Sequence, residues 1–286
     1  MSIVVEHVTH IYSAESPFET AALNDVSLTI KDGDFVGLIG HTGSGKSTLI
    51  QHLNGLLKPN TGKIYIDGED ITVKECNLAK IRGKVGIVFQ YPEYQLFEET
   101  VYKDIAYGPG NLGMDAAQID AKIHEVIRIV GLGEDILQKS PFEISGGQKR
   151  RVAIAGVLAM NPEILILDEP AAGLDPLGRD EILAQIASIH KRDNITVILV
   201  SHSMEDIAKI ANSVVVMADG KVAMQGSVSD VFSQPGLLKR IGLNVPQISM
   251  VVNRLKERGV DLGENIYTVD SAVKAVLRYL KEAGKC

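Results

Sequence analysis

The stretch Gly40-His41-Thr42-Gly43-Ser44-Gly45-Lys46-Ser47-Thr48 constrains this chain more than any other. It fits G-x-x-x-x-G-K-[ST], directly follows the apolar run Phe35 to Ile39, and leads into a helical pattern from Ser47 to Leu57. A strand–loop–helix unit of this kind cradles phosphate. Its glycines permit a tight turn whose N–H groups point inward, and the N-terminus of the following helix adds partial positive charge. Lys46 has the reach for terminal phosphates, and the Ser47 hydroxyl is a ligand for magnesium (Mg2+).

A second run, Ile164-Leu165-Ile166-Leu167-Asp168-Glu169, reads as a strand buried on both faces with two acids where it emerges. Asp168 is then placed to orient Mg2+, and Glu169 to polarise an attacking water. Together the two runs predict a nucleotide triphosphatase. The segment Ile144-Ser145-Gly146-Gly147-Gln148 opens a further helix and makes a second anion-binding terminus. One chain needs a single cradle for its triphosphate, so a second such site makes sense if it closes over the phosphate held by another copy.

The wider chain fits that reading. Strand-like runs at Val26–Ile30, Phe35–Ile39, Val85–Phe89, Ile164–Leu167, Ile195–Val200 and Val214–Met217 alternate with helical stretches, including Gly147 to Met160 and one opening at Pro176. The pattern predicts an α/β fold with helices on both faces of a sheet. Between Gln90 and Ser145 the texture turns helical, and Ile119, Ile123, Val126, Ile127 and Val130 mark a helix over Ala116 to Val130. After Gly220 two amphipathic helices are expected, one carrying Ile248, Val251, Val252 and Leu255, the other Val273, Val276, Leu277 and Leu280. They form either an association surface or a pair packed back on the parent domain.

Bulk properties exclude several classes. Lys plus Arg number 29 against 36 Asp plus Glu, a formal charge of -7, which argues against a nucleic-acid binder. Cys76 and Cys286 are far apart and read as reduced thiols. No run reaches the roughly 20 apolar residues of a membrane span, and Met1 to Tyr12 carries no basic leader. The chain reads as soluble, with any membrane role supplied by a partner.

Together these residues resemble the ATP-binding cassette ATPases, and the resemblance covers about Ile3 to Val231. It implies a P-loop NTPase fold with a mixed sheet core, a helical signature subdomain at about 91–160 within a cassette domain at 1–233, and a C-terminal helical extension at 234–286. Ser145 to Gln148 looks like the signature sequence, with Ile144 in place of the usual leucine. Ala172-Gly173-Leu174-Asp175 resembles the loop that crosses the dimer interface. Tyr12 fits the aromatic that stacks on adenine, Gln90 the glutamine that senses the γ-phosphate, and His202 the switch histidine. ATP would bind through Tyr12, Gly40 to Thr48, Gln90, Ser145, Gly147, Gln148 and Asp168, and Mg2+ through Ser47, Gln90 and Asp168. Lys46, Glu169 and His202 would carry the chemistry.

The run from Gln90 through Val101, with Asp104 to Pro109, looks like the ATPases of energy-coupling factor transporters, which import vitamins and metal ions. The run Gly147 to Met160 resembles the second ATPase subunit of systems with a shared energising module. That implies ATP-powered uptake at the cytoplasmic face of the cell membrane. The implied partners are a related second ATPase in a heterodimer, a transmembrane coupling subunit and a substrate-binding membrane subunit. The rival readings are an ATPase of another transporter of this superfamily, or a soluble ATPase acting on ribosomes or nucleic acid. A single cassette, a short middle insertion and the acidic charge weigh against the latter.

Overall fold

The computed structural model describes residues 2–14 and 18–282, so Met1 and Cys286 lie outside the described residues. In chain order the first half comprises β1 (Ile3–Tyr12), β2 (Thr20–Ile30), β3 (Phe35–Gly40), α1 (Lys46–Leu53), β4 (Thr61–Ile66), β5 (Glu69–Asp70), α2 (Leu78–Lys84) and β6 (Val85–Val88). Then come α3 (Val101–Asn111), α4 (Ala116–Ile129), α5 (Gly146–Ala159), β7 (Ile164–Asp168), α6 (Pro176–Asp193), β8 (Thr196–Val200), α7 (Met204–Ile210), β9 (Ser213–Ala218) and β10 (Lys221–Ser227). The chain closes with α8 (Val228–Phe232), α9 (Pro235–Arg240), α10 (Gln247–Glu257) and α11 (Val269–Glu282). Among these helices none is long and apolar enough to cross a membrane.

The strands form two sheets. A six-stranded sheet runs β10-β9-β3-β8-β7-β6, and a four-stranded one runs β2-β1-β4-β5. In the larger sheet β3 pairs in parallel with both β8 and β9, and β7 in parallel with both β8 and β6. The smaller sheet is antiparallel. The apolar runs of β3, β7 and β8 are buried throughout because both faces are covered. Their period-two alternation divides them between two cores. Phe35, Ile39, Leu165, Leu167, Val197 and Leu199 join the helices α3 to α6 in one core. Val36, Leu38, Ile164, Ile166 and Ile198 meet α1 and the smaller sheet in the other.

Helices α3, α4 and α5 build the insertion between β6 and β7, and Val101, Ile105, Ile123, Val126 and Ile127 bury its inner faces. The expected helix at Ala116 to Val130 forms at Ala116–Ile129, capped by Asp115 and Gln118 bonding each other's backbone. The helix expected over Ser47 to Leu57 is shorter, ending at Leu53, where Asn54 turns its side chain to the Val85 carbonyl at 2.7 Å.

The C-terminal segment has its own small core of Val252, Leu262, Ile266, Ala272 and Ala275. Helix α11 turns Ala272 and Ala275 inward, while Val273 and Leu277 are 50% and 49% exposed. The apolar stripe expected along that helix therefore faces outward. Small side chains set the close packing against α10, and the larger ones are left on the surface.

Candidate active site

Parallel pairing brings the site together. Leu38 of β3 and Asp168 of β7 both register with Val200 of β8, so β7 and β8 end level and β3 runs on to Gly40 beside them. The phosphate loop leaves β3 at Gly40, the two acids end β7, and Ser201 and His202 follow β8. Three distant parts of the chain thus emerge at the same sheet edge, the position where open α/β sheets bind ligands.

The loop is built to receive an anion. Gly45 caps α1 with φ 98°, and no side chain caps the helix, so its first N–H groups are left for something else. A Cβ on Gly45 would lie 2.5 Å from the Ala22 carbonyl oxygen, so only glycine fits there. Gly43 has φ 81° and open space around it. The Ser44 hydroxyl is buried and has no hydrogen-bond partner. His41 turns its Nδ1 to the Thr42 carbonyl at 2.8 Å. Lys46 is buried and folds back, donating to the carbonyls of Gly40 at 2.8 Å and His41 at 3.0 Å. Burial lowers its pKa, while the charges of Glu169 and Asp168 oppose that shift.

The acids sit opposite. Ser47 donates to Asp168 Oδ2 at 3.4 Å, and burial pushes the Asp168 carboxyl above its ordinary value. Glu169 takes a left-handed backbone at φ 51°, a conformation that costs a non-glycine residue ~1 kcal/mol or more. The turn swings its side chain off the strand. Burial, then the neighbouring Asp168 charge, raises its pKa to about 7. His202 Nε2 lies 3.2 Å from Glu169 Oε1, an oxygen that is buried and receives no well-directed hydrogen bond. Burial, followed by the Lys46 charge, lowers the His202 pKa.

Two further expected residues flank this centre. Tyr12 ends β1 with its Oη 3.4 Å from the Thr48 Oγ1 on α1. Gln90 is exposed just beyond β6, whose Val88 registers with Leu167 beside the acids. The signature segment stands apart from these contacts. Ser145 caps α5 and exchanges bonds with Gln148, its backbone N donating to Oε1 at 2.9 Å and its hydroxyl accepting at 3.3 Å. Ser145, Gly146 and Gly147 are exposed, with nothing near either glycine's Cβ position.

The oxygen-rich set suits Mg2+, and burial raises the pKa of Asp168 and Glu169 by more than the Lys46 charge lowers it. Among the described residues no cluster of three or more His, Cys, Asp or Glu side chains could hold a metal alone. An ion here would be held by one carboxylate with neutral side-chain oxygens and by substrate phosphates.

Sequence reasoning missed Arg150. Its guanidinium is buried, donating to Glu93 through Nε at 3.1 Å and Nη2 at 2.8 Å. Nη1 donates to the carbonyls of Pro170 at 3.2 Å and Ala172 at 2.8 Å. One side chain thereby joins the signature helix, the loop after Gln90 and the loop after Glu169. Burial alone would raise the Glu93 pKa, but Arg150 holds it below the usual range. A signal was present: Arg150 lies on the helical face of Ile154, Ala155 and Leu158, all buried.

Comparison with known proteins shows the family. A family model described as ABC transporter matches residues 23–172. The energy-coupling factor transporter ATP-binding protein EcfA2 of Clostridium tetani is 58% identical over 288 residues, covering 100% of both chains. Its counterpart from Clostridioides difficile is 56% identical, again over 100% of both. Among solved structures, cbiO1 from Clostridium perfringens, described as part of the ABC transporter complex cbiONQ, has TM-score 0.74 at 36% identity, covering 88% of this chain and 98% of that one. An ATP-binding cassette dimer in a post-hydrolysis state, bound to ADP and phosphate, has TM-score 0.71 at 29% identity, with 79% and 98% covered. The chain belongs to the ABC transporter family and, within it, to the ATP-binding proteins of energy-coupling factor transporters.

Proposed function

We propose that this chain hydrolyses ATP as one half of a dimer, driving uptake of vitamins or other micronutrients through an energy-coupling factor membrane transporter. The observation that carries this reading is the convergence of Lys46, Ser47, Asp168, Glu169 and His202 at one sheet edge. Ser145, Gly146 and Gly147 remain solvent-facing, which supports a site completed by a second subunit whose signature serine meets this chain's phosphate loop.

In that site the loop amides from Gly40 to Thr48 hold the phosphates, and Tyr12 carries the base. Glu169, with its pKa near 7, takes a proton from the attacking water at its carboxylate. His202 holds that carboxylate in place. Lys46 exchanges the Gly40 and His41 carbonyls for phosphoryl oxygens, stabilising their charge as the bond from the γ-phosphorus to the ADP oxygen breaks. Mg2+, when bound, neutralises phosphate charge. Ser47, Asp168 and Gln90 are the residues that would hold it.

The partners in this reading are a related, non-identical ATPase, a transmembrane coupling subunit and a substrate-binding membrane subunit, which together keep the chain at the cytoplasmic face of the cell membrane. Residues 1–233 would form the cassette domain, with 91–160 its helical subdomain. The extension at 234–286 would serve ATPase–ATPase association, a role supported by the exposed stripe of Val269, Val273 and Leu277. In the assembled complex, Glu169→Gln should lower ATP turnover by ~100-fold or more while ATP binding persists. Near-normal turnover by that variant would overturn the assignment.

A further inference from the structure

Beneath Tyr12 lie two buried histidines that the hydrolytic chemistry does not use. His52, in the last turn of α1, is fully buried, and His10, on β1, is 9% exposed. His52 Nδ1 is 2.7 Å from the Thr48 carbonyl, and its Nε2 is 3.2 Å from His10 Nδ1. The His10 ring packs edge-on against both Tyr12 and His52, with centroids 4.6 Å away in each case. Tyr12 Oη in turn lies 3.4 Å from the Thr48 hydroxyl. The contacts therefore close a circuit: Tyr12 to Thr48, Thr48 to His52, His52 to His10, and His10 back to Tyr12.

The protons follow from the partners. A carbonyl only accepts, so His52 Nδ1 carries the hydrogen that meets Thr48. In the neutral ring Nε2 is then the acceptor, and His10 Nδ1 donates to it. The Lys58 carbonyl, 3.2 Å from the same His10 nitrogen, shares that proton. Two imidazoles thus satisfy each other in a place where apolar side chains would fill the space without needing any partner. Hydrogen bonds add direction that packing lacks, and here the direction links the strand bearing Tyr12 to the helix bearing the phosphate loop.

We propose that His10 and His52 are positioning residues for the nucleotide base, setting Tyr12 at a defined distance from the phosphate cradle. This rests on the reading of Tyr12 as the base platform. Lys46 and the loop glycines are held by β3 and by the loop's own backbone, and of the cradle only Thr48 takes part in the circuit. Loosening the circuit should therefore weaken grip on the nucleoside end alone.

The test compares Mg-ATP with Mg-tripolyphosphate, which has the phosphates and no base, in binding to the full-length chain. His10→Phe and His52→Phe keep ring-sized packing and remove the hydrogen bonds. Each should weaken ATP by about fivefold, the equivalent of one net hydrogen bond, and leave tripolyphosphate unchanged. His10→Gln, which restores a donor, should recover most of the ATP affinity. Tyr12→Ala is the control: if it leaves ATP affinity unchanged, the base-platform reading itself is wrong. If Tyr12→Ala weakens ATP but both phenylalanine variants bind it normally, the positioning role is refuted. Parallel loss of both ligands in all three histidine variants would also refute it, since the pair would then merely support the fold.

Discussion

Replacing Arg150 with methionine removes the side chain that ties three loops together, and the cost is calculable. Arg150 is 3% exposed, and its guanidinium makes four hydrogen bonds, two to Glu93 and two to the carbonyls of Pro170 and Ala172. Methionine fills most of the volume, so cavity formation is a minor part. The main loss is a carboxylate and two carbonyls left without donors. Breaking a buried pair from one side costs about 3–5 kcal/mol, a large fraction of the 5–15 kcal/mol by which folded domains are typically stable. Urea unfolding of the full-length chain, followed by circular dichroism, reads this directly as a shift in midpoint at constant slope. Adding Glu93→Leu to Arg150→Met removes the stranded carboxylate and should restore ~2 kcal/mol. Lysine should not rescue, because it lacks the planar fork that reaches Glu93 and both carbonyls at once. A single Arg150→Met loss below about 1 kcal/mol would refute the reasoning, as would a double variant no more stable than the single.

Other outcomes follow from the same structure. Glu169 titrates near 7 in the folded chain against an ordinary 4.5. Its contribution to stability is therefore complete below pH 4.5 and is lost as pH rises through about 7. Discounted for the solvent that still reaches the carboxyl, this amounts to ~1–2 kcal/mol. The unfolding free energy of nucleotide-free parent minus that of Glu169→Gln should fall by that amount between pH 4.5 and 8, and a flat difference would refute the shift. Gly37 lies where a Cβ would meet Ile207 Cγ2 at 2.5 Å, so Gly37→Ala should destabilise by about 1–3 kcal/mol through overpacking. Adding Ile207→Val to Gly37→Ala, with both variants followed by thermal melting, should recover part of the loss if the clash is its cause.

Much of the active chemistry was legible because it is contiguous. The phosphate loop from Gly40 to Thr48 works through its own backbone turn and the helix it starts, so neighbouring residues specify most of it. The acids at the end of Ile164–Asp168 and the Ser145 cap on α5 are equally local, as strand burial and helix capping are written within a few residues. Tertiary structure decided what stands beside what. Parallel register brings Gly40, Asp168 and His202 to one edge, although more than a hundred residues separate the first from the second. The smaller sheet was not foreseen as a separate layer, since β4 and the first part of β2 are half exposed and lack continuous apolar runs. Arg150 was missed because it stands between Lys149 and Arg151, and a run of charges does not say which of them is buried. The outward face of α11 depended on which side, alanine or valine and leucine, packs more closely on α10. Residues close in sequence determine a turn, a cap or a strand by local sterics and hydrogen bonding. Convergence of distant groups, and the choice of which apolar face is buried, depend on how whole elements pack, and that was settled only in the folded chain.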